Sequence, residues 1–450
     1  MNSLGPKQSG RRHLAFPGEV LVGAHDWLIP YSIPLRFFVA ASFFQVLAWG
    51  LMALGYGDVA GFRGGPGVIL AALHALTLGV LAMTAMGAAY QLLSVASGIT
   101  LKSYFMCRLS SWAFLPGTFL LVGGMFHSNT TLMFVGGVLA VFGLLVFGAV
   151  IGWIFYKTQT LVMTVQHGWI ALASLVLLGL AGVSLILDFD TGFLGTSTLA
   201  AHAELALTHA ILGGFGFMGL MVMGFSYILV PMFALSPAPD PKPSTLAFGL
   251  GALGLVLALS GAWLGATLLT LSAVPLGLAA ASIHIWLMFK AMRTGMKKRL
   301  GVSFVMVRLG WALMVLAILL GGLSLMFPEI LNMPALFGFT LTFGWLLTFL
   351  TGVLQRILPF LAAMHAHKLS QPAPRLSELG QEGKVLKTHM IAHCSALTLV
   401  ALGIASDQDL IILVGALVGM VGAVSFLWFT LGVSRYLGKL YNNEPLPEQP

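Results

Sequence analysis

Twelve stretches of roughly 20 to 30 apolar residues follow one another along this chain with almost no charge inside them, each long enough to cross the hydrocarbon of a bilayer as a helix. Hydrocarbon offers no partner for backbone N–H and C=O groups, so every crossing segment must satisfy its own. A helix does this alone. Strands would need a closed barrel, and the short alternating segments of a barrel do not recur here. Composition agrees: 58% of the residues are hydrophobic and 8% charged, whereas a soluble domain carries about a quarter charged. The sequence predicts an all-α, polytopic membrane helical bundle.

The predicted spans are 33–56, 67–96, 110–126, 131–155, 166–187, 203–233, 245–265, 268–289, 302–326, 334–361, 386–404 and 410–433. They divide the chain into an N-terminal arm (1–32), a twelve-helix membrane domain (33–434) and a C-terminal tail (435–450). Charge tests the count. If the N-terminus is cytoplasmic, every basic residue except Arg63 falls on the cytoplasmic side, while Asp58, Asp188, Asp190, Glu329, Asp407 and Asp409 fall outside. Adding or losing one span would scramble that pattern, so the positive-inside rule predicts twelve crossings with both ends in the cytoplasm, as in a bacterial inner membrane. The net charge of +8 is thus a topology signal that needs no nucleic acid; Lys297, Lys298 and Arg299 are placed to meet anionic membrane lipid. The segment after Arg11 and Arg12 is short and broken by Glu19 and Asp26, unlike a cleavable signal. The segment 362–385 reads as a solvated linker between spans ten and eleven. Cys107 and Cys394 lie far apart at cytoplasmic helix ends, and no CxxC or CxxCH occurs, so neither a disulfide, a thiol redox pair nor a covalently attached haem is expected.

Spans two, six and ten share a pattern: Gly79, Gly87, Tyr90, Ser94; then Gly216, Gly224, Tyr227, Pro231; then Gly344, Gly352, Gln355, Pro359. The offsets are the same in each. These spans are four apart, which divides twelve spans into three sets of four. Small residues let membrane helices approach closely, and membrane proteins built from repeats tend to place their sites between the repeats.

Ionisable side chains within a membrane are functional candidates by default, and histidine, which can be buried neutral, is a common metal and haem ligand. His74 lies some eight residues into span two, about 12 Å along the helix, where no loop explains it. His209 lies at similar depth in span six. His202 is two turns nearer the outer end on the same face, with Glu204 between them, close to the interface, and is a candidate metal or haem-propionate contact. His389 and His393 are at i and i+4, a spacing that can chelate one metal; with His365 and His367 they form a cytoplasmic group that otherwise reads as interfacial and solvated. His127 reads as a loop residue and His167 as interfacial. His13, His25 and His284 are assigned no role. Tyr90, Gln91, Tyr227, Gln355 and Arg356 are polar groups at inner helix ends, which line a pocket or anchor helices at the interface. No phosphate loop, nucleotide fingerprint or intramembrane carboxylate pair occurs.

The run His74-Ala-Leu-Thr-Leu-Gly79 with Gly87 and Tyr90-Gln91, and the run from His209 through Gly224, Tyr227 and Pro231, resemble the haem–copper oxidase subunit I superfamily. They also resemble its divergent haem- and copper-containing members of nitric-oxide response, the NnrS type. The resemblance implies a pseudo-threefold helical arrangement, an axial haem ligand at His74 and a copper ligand at His209. It also implies haem b with copper or another metal as cofactors, and quinol or a cytochrome as electron donor. Two departures stand out. The membrane part of span ten has no histidine, with Phe337, Phe339 and Trp345 in that region, and no His-His pair occurs near span seven. The expectation is a haem-binding membrane protein of redox or nitric oxide/oxygen function, a candidate oxidoreductase without a complete binuclear centre. Two alternatives stay open: a transporter or permease for a small solute or metal ion, and an accessory subunit of a respiratory complex.

Overall fold

A computed structural model describes residues 27–192, 199–375, 379, 383–442 and 444. Nearly all of the predicted N-terminal arm, with His13 and His25, lies outside the described residues. Among those described there is no strand. Twelve helices are long and apolar enough to cross a membrane: α1 Ser32–Leu54, α2 Val68–Ser97, α3 Phe105–Phe126, α4 Thr130–Lys157, α5 Val162–Thr191, α6 Ala201–Ala234, α7 Pro241–Trp263, α8 Thr267–Thr294, α9 Gly301–Met326, α10 Ile330–Lys368, α11 Lys384–Ser406 and α12 Asp409–Tyr441.

The predicted spans and the helices agree in number and order but not in length. α10 continues to Lys368 and α12 to Tyr441, so the linker starts later than expected and Arg435 and Lys439 belong to a helix. Apolarity marks the thickness of hydrocarbon, and a helix need not stop where the hydrocarbon does. Local chemistry sets the true ends. The Asn129 side chain accepts from the Leu132 amide at 2.9 Å to start α4. Pro241 begins α7, where its missing N–H costs nothing. Gly98 takes the left-handed conformation that closes α2.

The helices form an inner group and an outer group. In the most apolar stretch of each span, 67%, 83% and 78% of the residues of α2, α6 and α10 are buried, against 56% or less in the others. The outer helices present large apolar side chains, such as Trp112, Leu180, Leu268 and Trp428, on faces available to lipid. At the end that carries the basic residues, Lys290 lies 5.4 Å from the Trp286 ring and Arg435 5.1 Å from the Trp428 ring, the pairing of aromatic and basic anchors expected at a membrane interface.

Features recur every four helices. α3 and α4 run antiparallel with backbones in close approach, Gly117 against Ala140 and Gly124 against Met133; α7–α8 do the same at Gly261 and Thr270, and α11–α12 at Gly415 and Val400. The inner helices share a rarer feature. Each contains one π-helical segment: Thr77–Ala82 in α2, Leu212–Gly219 in α6 and Thr340–Leu346 in α10. Gly79, Gly216 and Gly344 of the sequence pattern each lie within one of them. π segments are rare and cluster at functional sites.

Candidate functional site

His74 and His209 stand in the same relation to these segments: each is three residues before the first π residue of its helix, Thr77 in α2 and Leu212 in α6. The corresponding residue of α10 is Phe337, three before Thr340. The structure brings the two imidazoles together. Their ring centroids are 6.3 Å apart and their planes differ by 24°.

His74 Nδ1 is 3.0 Å from the carbonyl of Leu70. A carbonyl can only accept, so Nδ1 carries the proton and the lone pair is on Nε2, the tautomer of a metal-ligating histidine whose other nitrogen is held by backbone. Nδ1 of His209 is buried, and the ring lies beside the Leu178 backbone of α5. The His209 ring lies over α5 where Gly182 has no side chain; a Cβ there would be 3.1 Å from His209 Cε1.

The separation is informative. An imidazole nitrogen is about 1.1 Å from its centroid and a metal–nitrogen bond about 2.0–2.1 Å long, so two rings on opposite sides of one ion have centroids roughly 6.2 Å apart. A direct N–H···N hydrogen bond would bring them to about 5 Å. The observed distance is longer than a direct hydrogen bond gives and matches the spacing of two imidazoles that share one ion.

The other predicted site residues lie elsewhere. His202 is turned toward Asp188, Nδ1 to Oδ2 2.6 Å, which leaves Nε2 as the nitrogen that could serve a metal or propionate. His389 and His393 do share a face, their centroids 5.8 Å apart, but the solvated reading of this group is wrong for three of its four members: His389, His393 and His365 are 0%, 1% and 1% exposed. Neighbouring helices cover them. His389 Nδ1 donates to the Gly422 carbonyl of α12 at 3.0 Å, and His393 Nε2 pairs with the Thr348 hydroxyl of α10 at 2.7 Å. His365 bonds the Tyr441 hydroxyl at 2.6 Å through Nδ1, and His367 is exposed. Among the described residues, no three His, Cys, Asp or Glu side chains are grouped to hold a metal.

Sequence reading missed two further histidines. His167, taken as interfacial, and His284, given no role, are 0% and 1% exposed and lie either side of Tyr227. Tyr227 is one of the repeat positions, which is the signal that points to them. No family model and no curated protein matches this sequence.

Proposed function

We propose that this chain is a haem-binding protein of a bacterial inner membrane, with both ends cytoplasmic and a pseudo-threefold arrangement like that of the haem–copper oxidase subunit I superfamily. His74 and His209 hold the haem iron between α2 and α6. The observation that carries this reading is the pair of imidazoles at matching places beside two π segments, 6.3 Å apart. When bound, haem b supplies one-electron redox chemistry. The residues of the chain orient it: the Leu70 carbonyl fixes the His74 tautomer, and Gly182 leaves room for the His209 ring. The four-helix recurrence of π segments and glycine-packed pairs supports the threefold arrangement. Phe337 at the third matching place supports the absence of a complete binuclear centre. By resemblance, the gas handled is nitric oxide or oxygen and the electron donor is quinol or a cytochrome.

An absorption spectrum of the protein purified in detergent tests the reading. The expected result is a Soret band that is lost in His74→Ala and in His209→Ala, with the yield of folded protein retained. A colourless protein, or a band that survives both substitutions, overturns it.

A further inference from the structure

Two arginines at the basic end of the bundle stand together with no acid to answer them. Arg36 is in the second turn of α1, and its guanidinium reaches across to α3. Nη1 donates to the Ser111 hydroxyl at 3.1 Å, and Nε donates to the Ser32 carbonyl at 2.9 Å. Arg108, about one turn before Ser111 on α3, is close enough for the two like charges to repel. Among the described residues no carboxylate is within ion-pair distance of either arginine. The acids described at this end are engaged elsewhere, Asp240 with Lys290 and Glu444 with Asn442.

Arg36 stands at one end of an apolar groove of about 490 Å³ between α1 and α3. Val39, Phe43 and Phe44 line one side, Leu115 and Phe119 the other, and Ser434 of α12 completes it beside Tyr31. Phe44 and Phe119, whose ring centroids are 4.5 Å apart, are the lining residues farthest from the basic end along their helices. Phe44 is eight residues beyond Arg36, about 12 Å along the helix. Phe43 and Phe119 remain about half exposed, so the groove opens outward, on the face available to lipid. Cations at the level of the headgroups, followed by an apolar wall running into the hydrocarbon, match the profile of a phospholipid.

The chemistry of the cations selects the headgroup. A guanidinium carries five N–H donors, and Arg36 spends two of them on Ser32 and Ser111. The remaining donors suit phosphate oxygens, which arginine binds through paired, charge-assisted hydrogen bonds. A zwitterionic lipid brings its own ammonium group and leaves the arginine pair uncompensated. An anionic lipid relieves their repulsion.

We infer that the groove between α1 and α3 binds one anionic phospholipid from the leaflet at the basic end, with its phosphodiester on Arg36 and Arg108 and an acyl chain along the apolar wall. The site is separate from the His74–His209 pair and stands whether or not haem binds there.

Native mass spectrometry of the full chain, titrated in detergent with phosphatidylglycerol, phosphatidylcholine or inorganic phosphate, tests the inference. The wild type is expected to bind one phosphatidylglycerol with at least about tenfold greater affinity than phosphatidylcholine. Arg36→Gln with Arg108→Gln is expected to reduce that preference to less than about twofold. Ala40→Trp places a bulky side chain in the groove and keeps both cations; it is expected to weaken phosphatidylglycerol binding at least about tenfold. Lys297→Gln with Lys298→Gln, which removes basic charge outside the groove, is expected to leave the preference intact. Equal affinity of the wild type for the two lipids overturns the inference, as does a preference undiminished in the double arginine variant. Phosphatidylglycerol binding that is unaffected by Ala40→Trp, or is displaced by inorganic phosphate, also overturns it, because the cations would then serve a free phosphate rather than a lipid.

Discussion

A missing side chain on α5 leaves room for the His209 ring. Because a Cβ on residue 182 would meet Cε1 of that ring at 3.1 Å, Gly182→Val is expected to turn the imidazole away from His74 and reduce haem retention about tenfold, the scale of effect typical of residues that orient a ligand. Haem per folded protein checks this, and full retention would show that Gly182 does not set the ring. His202 carries the opposite expectation. Its pairing with Asp188 is partly exposed, so His202→Gln is expected to leave haem content unchanged and to cost no more than about 1 kcal/mol of stability. Depth along a helix made His74 and His209 legible in the sequence, since a histidine a third of the way through hydrocarbon has few bland explanations. Depth also misled. His167, His284 and His389 lie near helix ends, where water is the natural surrounding, and only the helices packed around them show that water is excluded.

Among elements, the repeated glycines differ in what they allow. Gly224 approaches His167 so closely that an added Cβ would be 2.8 Å from the His167 Cβ, while at Gly344 the atoms nearest an added Cβ belong to its own helix, none closer than 3.5 Å. Gly224→Ala is therefore expected to cost about 1–3 kcal/mol by overpacking, and Gly344→Ala to change stability by no more than about 0.5 kcal/mol. Thermal unfolding in detergent distinguishes the two, and equal shifts would refute the packing assignment. The sequence pattern does not tell crowded glycines from open ones, because spacing records position along a helix, not distance to a neighbour. The π segments were not legible at all. Nothing in Thr77–Ala82 or Thr340–Leu346 marks the wider turn.

For the whole molecule, the alternation of twelve helices places the basic loops at one end and most acidic loop residues at the other. With Cys107 and Cys394 replaced by Ala, Glu329→Cys is expected to react with a membrane-impermeant maleimide on cells whose outer membrane has been opened, and Lys298→Cys only after the inner membrane is broken. The reverse pattern would invert the topology while leaving the fold untouched. The number of crossings could be counted from sequence because hydrocarbon demands long apolar runs whatever the fold. Which helices sit inside could not, since α4 and α6 are both apolar along their length and differ only in what surrounds them.

The widened turns carry a consequence for how His74 and His209 came to face each other. A π segment is an α-helix that has accommodated a surplus residue. Removing one residue between Leu212 and Gly219 would let the helix relax to regular winding and swing everything on its N-terminal side by about 100°. The deleted chain would keep its length in the bilayer to within about 1.5 Å, yet His209 would point a quarter-turn or more away from its partner. The meeting of the two imidazoles thus depends less on which residues surround them than on one extra step in the winding of each helix.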